Sequence, residues 1–402
     1  MLKKLHRNIA VIFGLAFFQC FMVIVPVAVP FFMSKGLSLA EIFYLQAVFA
    51  TTIVLLEAPS GYFADIFGRR FALIIGSIVH GLSYFLLNFA DDFLSLMIFE
   101  ITAGISMSLL SGADLALLYD TQLALEDDDS AEHARGIAHL GFIKSGAEGI
   151  GALLGGALAL YSFDLMVLIQ SIIAWVCLAL AVLLVEPPYR REAAGSGFER
   201  VRISAILRHL LINDPVLRQI VIATPLYNLA IFQVAWLVQP YWEAQGLSLA
   251  LFGVLWCLQS LAVALANKFG LEVERRYGAV FALALIGILP ILGQFGMAWF
   301  QGWVGIGIGL ILFVCRGLNQ VILVNALNRR VPSEFRATAN SFTSFLLRLA
   351  FITTGPIVGF VAEREGLATA LNLLGISSIA LGLFVMIPLM QSVREIQQRV
   401  AA

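Results

Sequence analysis

Charge is scarce in this chain of 402 residues: 13% are Asp, Glu, Lys or Arg, against 60% hydrophobic, and the mean hydropathy is +0.92. A soluble domain carries about 25% charged and about 45–50% apolar residues, so composition excludes a water-soluble enzyme. Cysteine is scarce too. Cys20, Cys177, Cys257 and Cys315 lie far apart in apolar stretches without CxxC or Cys/His spacing, which reads as small core or lipid-facing residues. There is no basic stripe for nucleic acid, no G-x-x-x-x-G-K-[ST] loop for ATP, and no convergent nucleophile, base or metal ligands for an embedded enzyme. His80 and His139 have no ligand companion at usable spacing and read as packing histidines. The expectation is a non-enzyme with no cofactor and no metal.

Long apolar runs are what the chain has in abundance. At roughly 20 residues per crossing, spans fall near 8–33, 40–63, 71–90, 93–119, 136–160, 165–185, 216–241, 248–269, 279–299, 304–326, 337–362 and 368–390. The first run exceeds a signal-peptide core and lacks a small-residue cleavage site, so it reads as a retained span. Twelve crossings put both termini on one side. Of the 25 Lys and Arg, all but five lie at the termini or in loops of that side; Lys35 and Arg364 lie opposite, and Lys144, Arg316 and Arg348 fall inside spans. Positive charge stays inside, which predicts a multi-pass protein of the plasma (inner) membrane with both termini cytoplasmic. Trp242, Trp299 and Trp303 fall at outer ends and read as an interface belt.

The longest loop divides the chain into 1–185, a linker at 186–215, and 216–402. In the linker Ile203, Ile206, Leu207, Leu210 and Leu211 make an apolar stripe with Arg200, Arg202 and Arg208 on other faces, a helix lying on the inner membrane surface. The halves repeat. GLSLA stands at 36–40 and at 246–250, an offset of 210 that also carries Gly68 onto Gly278. Arg135 and its neighbours overlie Arg336 at an offset of 201, the difference being absorbed by the acidic loop around Asp127. The fold class expected is all-α and integral to the membrane: twelve transmembrane helices in two pseudo-symmetric six-helix halves related by an axis along the membrane normal.

Between spans 2 and 3 the chain reads Gly61-Tyr-Phe-Ala-Asp65-Ile-Phe-Gly68-Arg69-Arg70. This resembles the signature loop of the major facilitator superfamily, G-x-x-x-D-x-x-G-R-R, at every defining position. The resemblance implies a cytoplasmic gate in which Asp65 meets the N-terminal end of span 11 and nearby basic residues; a helix N-terminus stabilises a carboxylate. Gly61, Gly68, Arg69, Arg70 and Asp120 join Asp65 in that gate. The second copy, Glu274-Arg275-Arg276-Tyr277-Gly278, has drifted. Two positions depart from the drug-exporter members: Glu100 stands where they often carry Arg, four residues before Gly104, and span 5 has Gly149, Gly151, Gly155 and Gly156 without their proline. Gly355-Pro356-Ile357-Val358-Gly359 occurs in span 11 instead.

Charges inside a membrane cost at least about 2.5–3.5 kcal/mol on insertion scales and usually face a cavity or a partner. At 1.5 Å per residue, Glu148, Arg316 and Arg348 each fall roughly 17–18 Å into their spans, near the midplane. Glu148, Glu100 and Asp114 are the proton-coupling candidates. Glu148 pairing an Arg as a structural bridge is the alternative, and Lys144, four residues earlier, competes for it. Arg316, Arg348, Tyr227, Asn228, Gln233, Trp236, Asn319 and Gln320 are substrate-binding candidates, a mixture suited to an amphipathic solute.

The function expected is secondary transport by alternating access, with protons and a small organic solute as partners, in the lipid bilayer and as a monomer. Proton-coupled export of a drug-like solute is the first reading. Uptake of an anionic metabolite, motivated by the two arginines, and lipid or lysolipid flipping are the alternatives.

Overall fold

The computed structural model describes residues 2–125, 130–187, 208–332 and 335–401, and those residues are almost entirely helical, with no strand among them. Eleven helical segments among them are long and apolar enough to cross a membrane. The helix Ser130–Ala159, which carries Lys144 and Glu148, makes up the expected twelve. The segment around Asp127, Ile203, Ile206 and Leu207 of the linker stripe, and the side chain of Arg135 lie outside the described residues. Leu210 and Leu211 sit on a π-type turn, His209–Asn213, with Leu210 buried.

Contacts group the described residues into two compact units. The first holds α1 (Leu2–Cys20), α2 (Ala28–Ser34), α3 (Leu39–Phe67), α4 (Arg69–Leu87), α5 (Phe93–Leu110), α6 (Ala113–Ala124), α7 (Ser130–Ala159) and α8 (Phe163–Leu183). The opening turns of α10 (Leu249–Tyr277), up to Cys257, belong with it. The second unit holds the rest of α10, α9 (Pro215–Ala244), α11 (Ala279–Trp299), α12 (Gly302–Arg330), α13 (Arg336–Arg364), α14 (Leu367–Leu381) and α15 (Ile387–Ala401). In the first unit α4 packs on α5 and α8; in the second α11 packs on α12 and α14, the same trio by the repeat.

The repeated GLSLA is a helix-stop, helix-start device. Gly36 and Gly246 both take left-handed backbone, φ 85 and 75°, and the residue after each donates its amide back to the ending helix, Leu37 to Phe32 and Leu247 to Trp242. Glycine is the residue such a stop favours. Ser38 then accepts from the Glu41 amide at 3.3 Å while Glu41 takes the Ser38 amide at 2.8 Å, a reciprocal cap on α3.

Three spans are not the continuous helices that hydropathy suggests. Span 1 unwinds between Cys20 and Ala28, where Pro26 lacks an N–H, and the freed Val23 amide donates to Gln170 at 2.7 Å. Span 4 is broken between α5 and α6 at Ser111, which is extended, and Gly112, at φ 85°. Span 12 carries a π turn, Gly382–Met386, in which the Ile387 amide donates to Gly382. Pro388 follows it and cannot supply the next helical donor. Trp242 also departs from the expected belt, being buried, whereas Trp299 and Trp303 are exposed as expected.

Candidate functional site

In the first unit the acidic candidates occupy two separate settings. Glu100, on α5, is 5% exposed, and its partner is Gln46 of α3, whose amide donates to it at 2.7 Å. Tyr84 packs edge-on to His80 and tilted against Phe99 beside it. The close approach of α3 and α5 there depends on Gly104, where a Cβ would meet Thr52 at 2.8 Å. His80 is buried in that packing and His139 lies tilted against Phe13, ring centres 4.9 Å apart.

The second setting joins α6, α7 and α1. Asp114, 1% exposed in the first turn of α6, pairs with Lys144 of α7 at 2.5 Å and accepts the Leu115 amide at 2.7 Å. Lys144 therefore spans two helices and does not bridge to Glu148 one turn along its own. Glu148 is half-buried and accepts from the Trp256 indole at 3.3 Å. Neither Arg316 nor Arg348 belongs to its unit. Cys20 lies within electrostatic reach of Lys144, Glu148 and Asp114. The opening turns of α10 meet α7 at two glycines: a Cβ on Gly156 would stand 2.8 Å from the Gly253 amide, so two backbones are in contact where any side chain would part them.

Of the gate candidates, Gly68, Arg69, Arg70 and Asp120 gather at adjoining ends of spans 2, 3, 4 and 6. Gly68, at φ 96°, makes the turn from α3 into α4. Arg69 reaches Asp120 at 2.6 Å and the Ala116 carbonyl at 2.5 Å, and Arg70 donates to the Val182 carbonyl at 3.1 Å. Glu186, which the sequence did not single out, accepts both first amides of α4, from Arg69 at 3.0 Å and Arg70 at 2.7 Å. It occupies the anion position that a helix N-terminus offers. Asp65 is exposed and makes no ion pair among the described residues, and Gly61 is exposed on the same helix. In the second unit Gly278 repeats the turn at φ 89° without a side-chain cap on α11.

The substrate-binding candidates all lie in the second unit, on α9, α12 and α13, but the structure does not bring them to one place. Gln233 donates to Thr354 at 2.6 Å and Asn319 to the Thr224 carbonyl at 3.3 Å. Gln320 accepts from Asn267 at 3.2 Å on an exposed face. Arg348 donates to Ser344 at 3.0 Å. Asn228, Trp236 and Arg316 are half-buried, and among the described residues Arg316 has no acidic partner. Tyr227 is fully buried and turns its hydroxyl toward Gly287 of α11. No group of His, Cys, Asp and Glu among the described residues could hold a metal ion.

A sequence model of the Major Facilitator Superfamily matches residues 9–355. The quinolone resistance protein NorA of Staphylococcus aureus (strain MRSA252) is 22% identical over 178 residues, 44% of each chain. An MFS-type transporter of Methanocaldococcus jannaschii is 29% identical over 104 residues, 25% of this chain and 27% of that one. The matched region thus spans less than half the length of these relatives. Among solved structures, the nucleoside transporter NupG has a TM-score of 0.78 at 12% identity, covering 95% of this chain and 98% of its own. A D-xylose-proton symporter has a TM-score of 0.72 at 15% identity, covering 94% and 96%. At these identities the likeness is one of fold.

Proposed function

We propose that this chain, which belongs to the Major Facilitator Superfamily, is a proton-coupled exporter of small, drug-like organic solutes, working by alternating access as a monomer in the plasma membrane with both termini inside. The observation that carries the coupling is Glu100. It is enclosed within a span, its hydrogen-bond partner among the described residues is the neutral amide of Gln46, and no cation pairs with it. An ionised carboxylate in that setting would bear most of its desolvation penalty uncompensated, a matter of several kcal/mol, so the enclosed arrangement goes with the proton bound and a hydrated one with the proton released. Proton binding and conformation are then linked, as coupling requires. Export is supported by the stretch of similarity to quinolone resistance proteins.

The test is transport of norfloxacin into proteoliposomes driven by an imposed pH gradient. Glu100→Gln abolishes gradient-driven accumulation and leaves exchange between equal pools intact, while Glu148→Gln, altering a half-buried carboxylate bonded to Trp256, keeps both. Accumulation by Glu100→Gln at the parent's level would defeat the coupling role. The second reading, uptake of a carboxylate- or phosphate-bearing metabolite, is favoured by Arg316, half-buried without an acidic partner among the described residues. Thermal stabilisation of the parent but not of Arg316→Gln by such an anion would put that reading first.

A further inference from the structure

Arg316 stands halfway along α12, a segment long and apolar enough to cross a membrane, and is half-buried with no acidic partner among the described residues. One turn further on, Gln320 is exposed and accepts from the side-chain amide of Asn267, on α10, at 3.2 Å. All three belong to the second unit. Two glycines press α10 and α12 together around this pair. A Cβ on Gly317 would stand 2.6 Å from the Val263 carbonyl and 3.2 Å from the Asn267 backbone nitrogen, and one on Gly270 would stand 2.5 Å from Val321.

Acyl chains offer such groups nothing. A guanidinium and two half-satisfied amides set against hydrocarbon would give up their hydrogen bonds to water without replacement, so this face of α12 is one that meets water or a solute. Its chemistry is definite. The bond between the two amides uses one N–H and one carbonyl, and it leaves a carbonyl free on one side chain and an NH2 group free on the other, whichever way the amides are turned. A free donor beside a free acceptor is the complement of an amide or lactam edge, which carries the same two groups in reverse. Arg316 adds a planar fork suited to a carboxylate, and its place four residues before Gln320 sets the two side chains about 5–6 Å apart at their Cβ atoms.

We propose that Arg316, Asn267 and Gln320 form a binding site for a small solute that joins a carboxylate to an amide or lactam about 5–6 Å away. The guanidinium takes the carboxylate, and the amide pair takes both hydrogen-bonding groups of the solute's amide. The inference rests on the anion-binding reading of Arg316 given above and adds what the rest of the anion must carry. It is independent of the direction in which the solute moves.

Two probes of one shape test it: 3-carbamoylbenzoate, and 3-acetylbenzoate, whose ketone offers an acceptor and no donor. Both are titrated calorimetrically into full-length protein in phosphatidylcholine nanodiscs. The parent should bind the carbamoyl compound about tenfold more tightly, the worth of one hydrogen bond whose protein partner is otherwise left unpaired. Asn267→Leu together with Gln320→Leu replaces both amides by apolar groups of similar size and should bring the ratio to one; Gln320→Met alone serves if the double variant does not fold. Arg316→Gln should weaken both probes alike. Equal affinities in the parent, or a preference that survives loss of the amide pair, overturn this site and leave the anion-binding reading standing. Undiminished binding of both probes by Arg316→Gln, or no binding of either by the parent, overturns the two together.

Discussion

At the scale of single residues, the side chains that matter are those whose charge is taken out of water. Asp114 is nearly inaccessible and depends on Lys144, whose own side chain is about one-third exposed. Removing one member of a buried pair costs about 3–5 kcal/mol, and the exposure of Lys144 sets the lower end here. Asp114→Leu should lower the thermal unfolding midpoint in detergent, and adding Lys144→Met should restore most of the loss; a double variant as unstable as the single one would show that the ion pair is not the cause. Glu186 acts on backbone instead of on a cation. Glu186→Ala should cost about 1–2 kcal/mol, the range for a lost helix cap, with Glu186→Gln between it and the parent in the same scan. Neither role was readable from sequence. Lys144 has an acid at helical spacing on its own chain segment, yet the broken span 4 brings it a better one 30 positions away in number. Glu186 precedes a proline at the end of a span and looks like one more linker charge until α4 is placed beside it.

At the scale of elements, the apolar runs placed every spanning segment, and the loop Gly61–Arg70 with the GLSLA repeat identified the family and the duplication, because length, hydropathy and glycine turns are local properties. The interruptions were not legible. Ser111–Gly112 is an ordinary pair of small residues, and membrane helices tolerate glycine freely; whether it breaks depends on what its neighbours offer the freed amides. Caps are local and testable. Asp214 begins α9 by accepting the Val216 and Leu217 amides at 2.9 and 3.1 Å and pairs with Arg330 at 3.0 Å. Partial burial pushes its pKa up, but the amides and the guanidinium together outweigh that and hold it below the ordinary carboxylate range. A depressed native pKa contributes stability that is complete above the unfolded value, about 3.9, and is lost as pH falls through the native one. Asp214→Asn should therefore lower stability at neutral pH and lose part of its acid sensitivity below about pH 4, measured as unfolding midpoints across a pH series.

At the scale of the whole molecule, the distribution of basic residues predicts an orientation, and exposed positions at opposite ends of spans test it. Asp164, near Lys35, and Glu272, near Arg275, are both well exposed. With an impermeant thiol reagent and a background lacking the native cysteines, Asp164→Cys should react in intact cells and Glu272→Cys only after permeabilisation; the reverse pattern would invert the topology. The break in span 4 has a mechanical consequence. Asp120 lies eight residues beyond Gly112, an arm of about 12 Å at 1.5 Å per residue, so tilting α6 by about 10° about that glycine swings its carboxylate through about 2 Å. Its contact with Arg69 is 2.6 Å long. The glycine is thus a fulcrum and α6 a lever: a rotation too small to disturb the packing of α5 is enough to pull a charge pair apart at the far end of the same span.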